Sequence, residues 1–247
     1  MLVLLSSWQG SWFALNKRST KKTADHRPRV AAQRRAETEG RLLTAALLML
    51  CSKQFSEISV NDLIDHVGVS RGTFYKYFDS LSEVFARLSA RLEAELSPLA
   101  DELILRIPNA AVRIATGTRL LLHVGSRVPV VGKLILQSGW PMNRSAGVFL
   151  ENLDRDIGLA IEQGSFDEMS ASVAANLIVG PMLGGLHTML LAPSAPDYAD
   201  QIVHRILLSL GMNREAASQA ISFPIPEMNL EPAGLLGEIL GLSSSQK

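Results

Sequence analysis

The stretch "SVNDLIDHVGVSRGTFYKYF", Ser59 to Phe78, decides how the rest of the chain is read. Ser59 stands ahead of a short apolar-periodic run, Val60 to Val67, in which Leu63, Ile64 and Val67 share one side. It can cap that run, with Asp62 three positions on returning a bond to the backbone. Gly68 follows, and glycine reaches positive φ without steric cost, so the chain is predicted to turn there. Ser70 caps a second short helix, predicted to run through Phe78. Phe74 and Phe78, at i and i+4, pack inward. Thr73, Lys76 and Tyr77 are left pointing outward, with Tyr75 beside them. Two short helices across a glycine turn form a helix-turn-helix, whose second helix must fit a major groove about 12 Å wide. Thr and Tyr hydroxyls can donate to phosphate, Arg71 and Lys76 can reach guanine or phosphate, and a helix N-terminus attracts phosphate. An αα-hairpin with a solvated polar face fits the same spacing. On spacing alone the two readings weigh evenly.

Outward from this stretch, charge is unevenly spread along the 247 residues. Lys17 to Phe78 holds 12 Lys/Arg against 6 Asp/Glu, a balance of +6, and Asp79 to Lys247 holds 12 against 18, a balance of −6. A basic front joined to an acidic back is expected when one module meets a polyanion and the other does not. With 47% hydrophobic and 19% charged residues, the composition is that of a soluble globular protein. Cys51 is the only cysteine, so neither an internal disulfide nor a Cys-based metal site can form. A small buried thiol in a reducing cytoplasm is the expectation.

Helical periodicity recurs almost everywhere and no strand signal stands out, so the fold class is all-α. Helices are expected over Arg34–Ser52, Ser80 to about Leu96, Asn109–Val124, Val128–Gln137, Asn143–Gln163, Ser170–Leu191, Asp197–Leu210 and Asn213–Ile221. Pro98 is expected to follow the last turn of the second of these. Residues 1–33 read as a basic, disordered extension, 34–80 as the helix-turn-helix domain, 81–222 as a second helical domain, and 223–247 as a loosely held tail. "MLVLLSSWQGSWFAL" has no basic residue ahead of its apolar run and is not read as a signal peptide. Ala171 to Ala192 approaches a membrane span in length, but Asn176, Pro181, His187 and Thr188 interrupt it. A helix buried on most sides is preferred.

Gly40 to Leu88, "GRLLTAALLMLCSKQFSEISVNDLIDHVGVSRGTFYKYFDSLSEVFARL", resembles the DNA-binding region of TetR-family transcriptional regulators. The matching pieces are the apolar first helix, Phe55, the cap Ser59, "VGVSRGTFYKYF" and a helix opening at Ser80. The resemblance implies a three-helix DNA-binding domain joined to a helical ligand-binding and dimerisation domain. By position it implies a phosphate contact at Ser59. It also implies a groove-facing surface of Ser70, Arg71, Gly72, Thr73, Tyr75, Lys76 and Tyr77, with Arg71 and Lys76 reading bases. Many members place a lysine where this chain has Leu81, so that phosphate contact is missing, and Asp79 beside it would repel phosphate. Lys17, Arg18, Lys21, Lys22, Arg27, Arg29, Arg34 and Arg35 could compensate as a basic arm; a solvated tail explains them equally well. A homodimer built on Ser170–Leu191 and Asp197–Leu210, a near-palindromic operator and release by a small hydrophobic effector follow from the same resemblance. His123, Trp140, Met142, Phe149, Met182 and His187 are the candidates for the effector pocket. Each is also explained as core, His187 as an interior histidine.

No enzyme motif is present: there is no G-x-G-x-x-G, Walker G-K-[ST], G-x-S-x-G or H-E-x-x-H. The five histidines show no ligand spacing, so neither metal nor cofactor is expected. A recombinase-like DNA-processing protein using the same helix-turn-helix, and a helical membrane-associated protein, are the competing classes. The first lacks a visible carboxylate cluster or nucleophile.

Overall fold

A computed structural model describes residues 26–137, 148–227 and 234–244. Every regular element among them is helical. The α-helices are α1 (His26–Ser52), α2 (Val60–Val67), α3 (Arg71–Phe74), α4 (Leu81–Ile104), α5 (Ala110–Arg127), α6 (Pro129–Gln137), α7 (Val148–Glu162), α8 (Ala171–Leu191), α9 (Tyr198–Ser209), α10 (Arg214–Ser222) and α11 (Gly234–Ser244). A 3₁₀ turn, Phe55–Glu57, sits between α1 and α2. The described residues before Thr38 belong to one unit and those from Thr38 onward to another.

Six helices start as their sequences direct: Ser59, Ser70, Ser80, Asn109, Ser170 and Asn213 each accept a backbone N–H from the residue three positions on. That satisfies an amide the helix itself cannot. Gly68 ends α2 in the left-handed region, at φ 72° and ψ 42°, with its N–H and that of Val69 both donated to the Ile64 carbonyl. A side chain there would be strained.

Four expectations are corrected. Helix α1 already runs from His26 rather than Arg34 among the described residues; residues 1–25 lie outside them. Helix α4 runs through Pro98 to Ile104. The turns past the proline make contacts of their own: Leu99 packs against the helix-turn-helix cluster and Asp101 accepts from the Asn152 amide of α7. The second helix of the helix-turn-helix is regular only over Arg71–Phe74. Beyond it Lys76 N–H bonds Thr73 and Tyr77 N–H bonds Phe74, both i→i+3, so the segment tightens rather than continuing as α-helix. The tail, finally, holds α11 against α4. Leu235, Leu236 and Ile239 are buried, and the Glu95 carboxylate accepts the N–H groups of Leu235 and Leu236 at 2.8 and 2.9 Å.

Two apolar clusters organise Thr38 onward. One joins α1, α2, α3 and the first four turns of α4 through Leu47, Leu63, Phe74, Phe78, Phe85 and Leu88, and takes in Val131 and Leu134 of α6 and the three buried residues of α11. The other joins α5, α7, α8, α9 and α10. Helix α4 therefore shares the helix-turn-helix core, so no break in packing falls between residues 80 and 81. Helix α6 enters that core as well. Lys133 Nζ donates to the carbonyls of Leu50 and Lys53 at 2.9 and 3.0 Å, a cation at the C-terminal end of α1. Gly125 of α5 and Gly132 of α6 meet backbone to backbone; a Cβ at Gly132 would collide with the Gly125 carbonyl oxygen.

Candidate nucleic-acid interface and effector cavity

A four-residue helix has no stability of its own, so α3 depends on what anchors it. Phe74 is fully buried and Phe78 nearly so, their rings 5.8 Å apart. Arg87 of α4 closes the far side. Its guanidinium meets Glu39 at 2.5 Å and Glu83 at 2.7 Å, donates to the Tyr77 carbonyl at 3.3 Å, and lies 4.8 Å over the Phe78 ring. Sequence reading misses this residue: an arginine at i+4 from a glutamate looks like any solvated helix pair, and the third partner, Tyr77, precedes the helix. Glu83 also accepts the Asp79 N–H at 2.6 Å, and that bond, helped by Arg87, holds its carboxyl below the usual range. Leu81, where the resemblance expects a lysine, is half-buried against the same core.

The anchors leave one edge outside. Ser59, Ser70, Arg71, Gly72, Tyr75 and Lys76 are exposed and Thr73 is half-exposed. Arg71 lies 5.9 Å over the Tyr75 ring, which is itself edge-on to Phe74 at 5.2 Å. Among the described residues neither Arg71 nor Lys76 is in an ion pair. Tyr77, partly buried like Thr73, packs on the helix-turn-helix core. Ser59 is already occupied within its own helix start. Its N–H and hydroxyl both donate to Asp62 Oδ2, at 2.8 and 2.6 Å, and these bonds hold the Asp62 carboxyl below the usual range. The Ser70 and Thr73 hydroxyls bond each other at 2.8 Å. Arg34 and Arg35 are exposed on α1. Lys17, Arg18, Lys21 and Lys22 lie outside the described residues, as do the side chains of Arg27 and Arg29.

A cavity of about 340 Å³ opens among α4, α5, α6, α7 and α8. Phe149 and Met182 line it. Trp140 and Met142 lie outside the described residues. His123 is half-buried but does not line the cavity. His187 is exposed, neither in the cavity nor interior. The reason is the facing of α8. Ala174, Ala175, Ile178, Val179, Met182, Gly185 and Leu186 are buried, whereas Val173, Asn176, Gly180, Pro181, Gly184, His187, Thr188 and Leu191 form an exposed stripe. The helix is thus buried along one face and not on most sides. It has the length and apolarity of a membrane span by composition only, and its apolar stretch is 39% buried.

Residues 42–88 match the family model of the bacterial regulatory proteins of the tetR family. Over 52 residues the chain is 44% identical to the HTH-type transcriptional regulator EthR of Mycolicibacterium smegmatis, covering 21% of this chain and 24% of that one. The match thus spans about a quarter of that regulator's length. Among solved structures the chain resembles RolR in complex with resorcinol, with a TM-score of 0.66 and 20% identity over 80% of this chain and all of that one. It also resembles FadR of Bacillus subtilis in complex with stearoyl-CoA, with a TM-score of 0.51 and 16% identity over 69% and 96% of the two chains. At these identities the likeness shows the fold. Residues 42–88 are thus similar in sequence to the tetR family of bacterial regulatory proteins, and the helical body is similar in fold to solved structures.

Proposed function

We propose that the protein is a cytoplasmic, sequence-specific DNA-binding transcriptional regulator, a homodimeric repressor released from a near-palindromic operator by a small effector. One observation carries this reading: an exposed edge of Arg71, Gly72, Thr73, Tyr75 and Lys76 on a capped turn of helix that two buried phenylalanines and Arg87 hold fixed. Arg71 and Lys76 read base edges, while Thr73 and Tyr75 hold phosphates. Ser59 and Ser70 serve first as caps, and their helix starts offer backbone N–H groups to phosphate. Arg34 and Arg35, exposed on α1, add positive charge for the phosphate backbone.

The exposed stripe of α8 supplies the dimer face, with α9 alongside it. Open space surrounds the Cβ positions of Gly180 and Gly184, so a second backbone can approach closely. A two-fold pair sets its recognition helices about 34 Å apart, or further by multiples of a turn. Effector response runs through α4 and α6, which line the cavity with one face and enter the helix-turn-helix core with another. A molecule that fits the cavity in only one arrangement of these helices shifts the population toward it. That other chains of this fold hold resorcinol or stearoyl-CoA supports a small-molecule role for the cavity.

Selection of bound sequences from a random duplex pool, followed by gel-shift titration, tests the reading. The selected sites should be near-palindromes. Arg71→Ala should cost about 1–3 kcal/mol on the selected site and relax preference at one position per half-site. Unchanged affinity and preference in Arg71→Ala would displace the groove surface from this edge.

A further inference from the structure

The cavity has one polar wall, and the direction of its hydrogen bonds identifies the chemistry it receives. Arg113 is spent. Its Nε and Nη2 pair with Asp156 at 3.1 and 2.9 Å, and its Nη1 donates to the carbonyls of Ile107 and Pro108 at 2.8 and 3.2 Å. Arg155 gives Nε to Asp156 at 3.2 Å and Nη1 to the Asn152 side-chain Oδ1 at 3.0 Å. Asn152 passes the chain on, its single amide nitrogen 3.1 Å from both oxygens of Asp101. Most donors of this wall therefore turn toward its own acceptors; of the six guanidinium nitrogens only Arg155 Nη2 has no partner among the described residues, and Ser97 and Gln137 line the cavity elsewhere. What stays open is acceptor capacity at Asp101, where one nitrogen serves two oxygens that have about four lone-pair sites. Glu93, two turns earlier on α4, accepts the Phe149 N–H at 3.0 Å on one oxygen; the other has no partner among the described residues.

Charge and size narrow the choice. Two guanidiniums against the three carboxylates of Glu93, Asp101 and Asp156 leave the wall at 2 − 3 = −1. A carboxylate or phosphate ligand would face that surplus, with Arg155 already engaged by Asp156. An ammonium would sit beside Arg155, and Phe149 is the only aromatic side chain lining the cavity among the described residues, too little for a cation cage. At about 340 Å³ the space lies at the small end of ligand pockets, which run from about 300 to 1,000 Å³. The remaining lining is largely aliphatic.

We infer that the effector is a small uncharged molecule with an apolar ring or short chain and one or more hydroxyl groups, which donate to the carboxylates of Asp101 and Glu93. This rests on reading the cavity as the effector site. Calorimetric titration of the full chain, without DNA, with phenol, the benzenediol isomers, toluene, benzoate and benzylamine tests it. At least one benzenediol should bind about tenfold or more tighter than toluene, benzoate and benzylamine. Asp101→Ala should weaken that diol about tenfold or more, and Asp101→Asn, which keeps the shape and one acceptor oxygen, by less. Equal or tighter binding of benzoate, benzylamine or toluene, no binding by any diol, or a diol affinity unchanged in a folded Asp101→Ala chain would overturn the inference. DNA binding assayed separately keeps the two readings apart. A chain that binds its operator but no diol sinks only the ligand class, and a folded chain that binds no duplex sinks the regulator reading.

Discussion

His123 sits on α5 with Asp200, Arg119 and Arg127 around it, and burial pushes its imidazole below the ordinary range; the two arginines push the same way and Asp200 opposes them. The folded chain therefore takes up this proton less readily than the unfolded one. Stability from this group is full above the unfolded value, about 6.5, and is lost as pH falls through that value toward the lowered one. The urea midpoint should fall between about pH 7 and 5 in the native chain, and His123→Gln should flatten that slope. Parallel slopes in the two proteins would remove His123 as the cause. Caps and turn glycines such as Ser70 and Gly68 were legible in the sequence because their bonds close within three or four residues. Tyr77 and Ser59 were legible as surface, but their engagement with neighbouring groups was not. For them the deciding partners are the helix-turn-helix core and a side-chain proton given to Asp62, and neither follows from spacing.

Helix α11 shows the same limit for a whole element. Its apolar residues could be read from the sequence, but Glu95, the carboxylate that receives its first amides, lies far earlier in the chain. Glu95→Ala should cost about 0.5–2 kcal/mol, the loss of a helix cap, and Ile239→Ala about 2–5 kcal/mol, the loss of a fully buried side chain. Urea unfolding of the two variants checks both, and neutral values would return the segment to a loosely held tail. For helix α4 the sequence alone suggests an end before Pro98, because a proline breaks local hydrogen bonding. Contacts beyond it decide otherwise, Leu99 packing on the helix-turn-helix cluster and Asp101 accepting from Asn152 of α7. The cavity wall was not legible at all: Asp101, Arg113 and Asp156 come from three helices, and only the fold brings them together.

For the whole molecule, the asymmetry of α8 matters most. Its buried face completes the body of the chain, and its exposed stripe leaves Gly180 and Gly184 open to a second copy. Gly184→Arg should place a charge and bulk on that stripe, convert a dimer to a monomer in sedimentation, and weaken operator binding by removing the second half-site. An unchanged dimer would put the interface elsewhere. The charge division along the chain, +6 before Asp79 and −6 from it onward, could be read at once. The measurement that tests the central claim most directly is fluorescence anisotropy of a selected duplex titrated with the full chain over a range of salt. Two chains per duplex are predicted, with the logarithm of the association constant falling linearly against the logarithm of salt by about 0.9 per phosphate neutralised. The slope should be little changed by Arg71→Ala, while affinity for the selected site drops. Binding that ignores salt, or a single chain that holds no duplex at any salt, would contradict the claim that the Arg71–Lys76 edge docks on DNA in two copies.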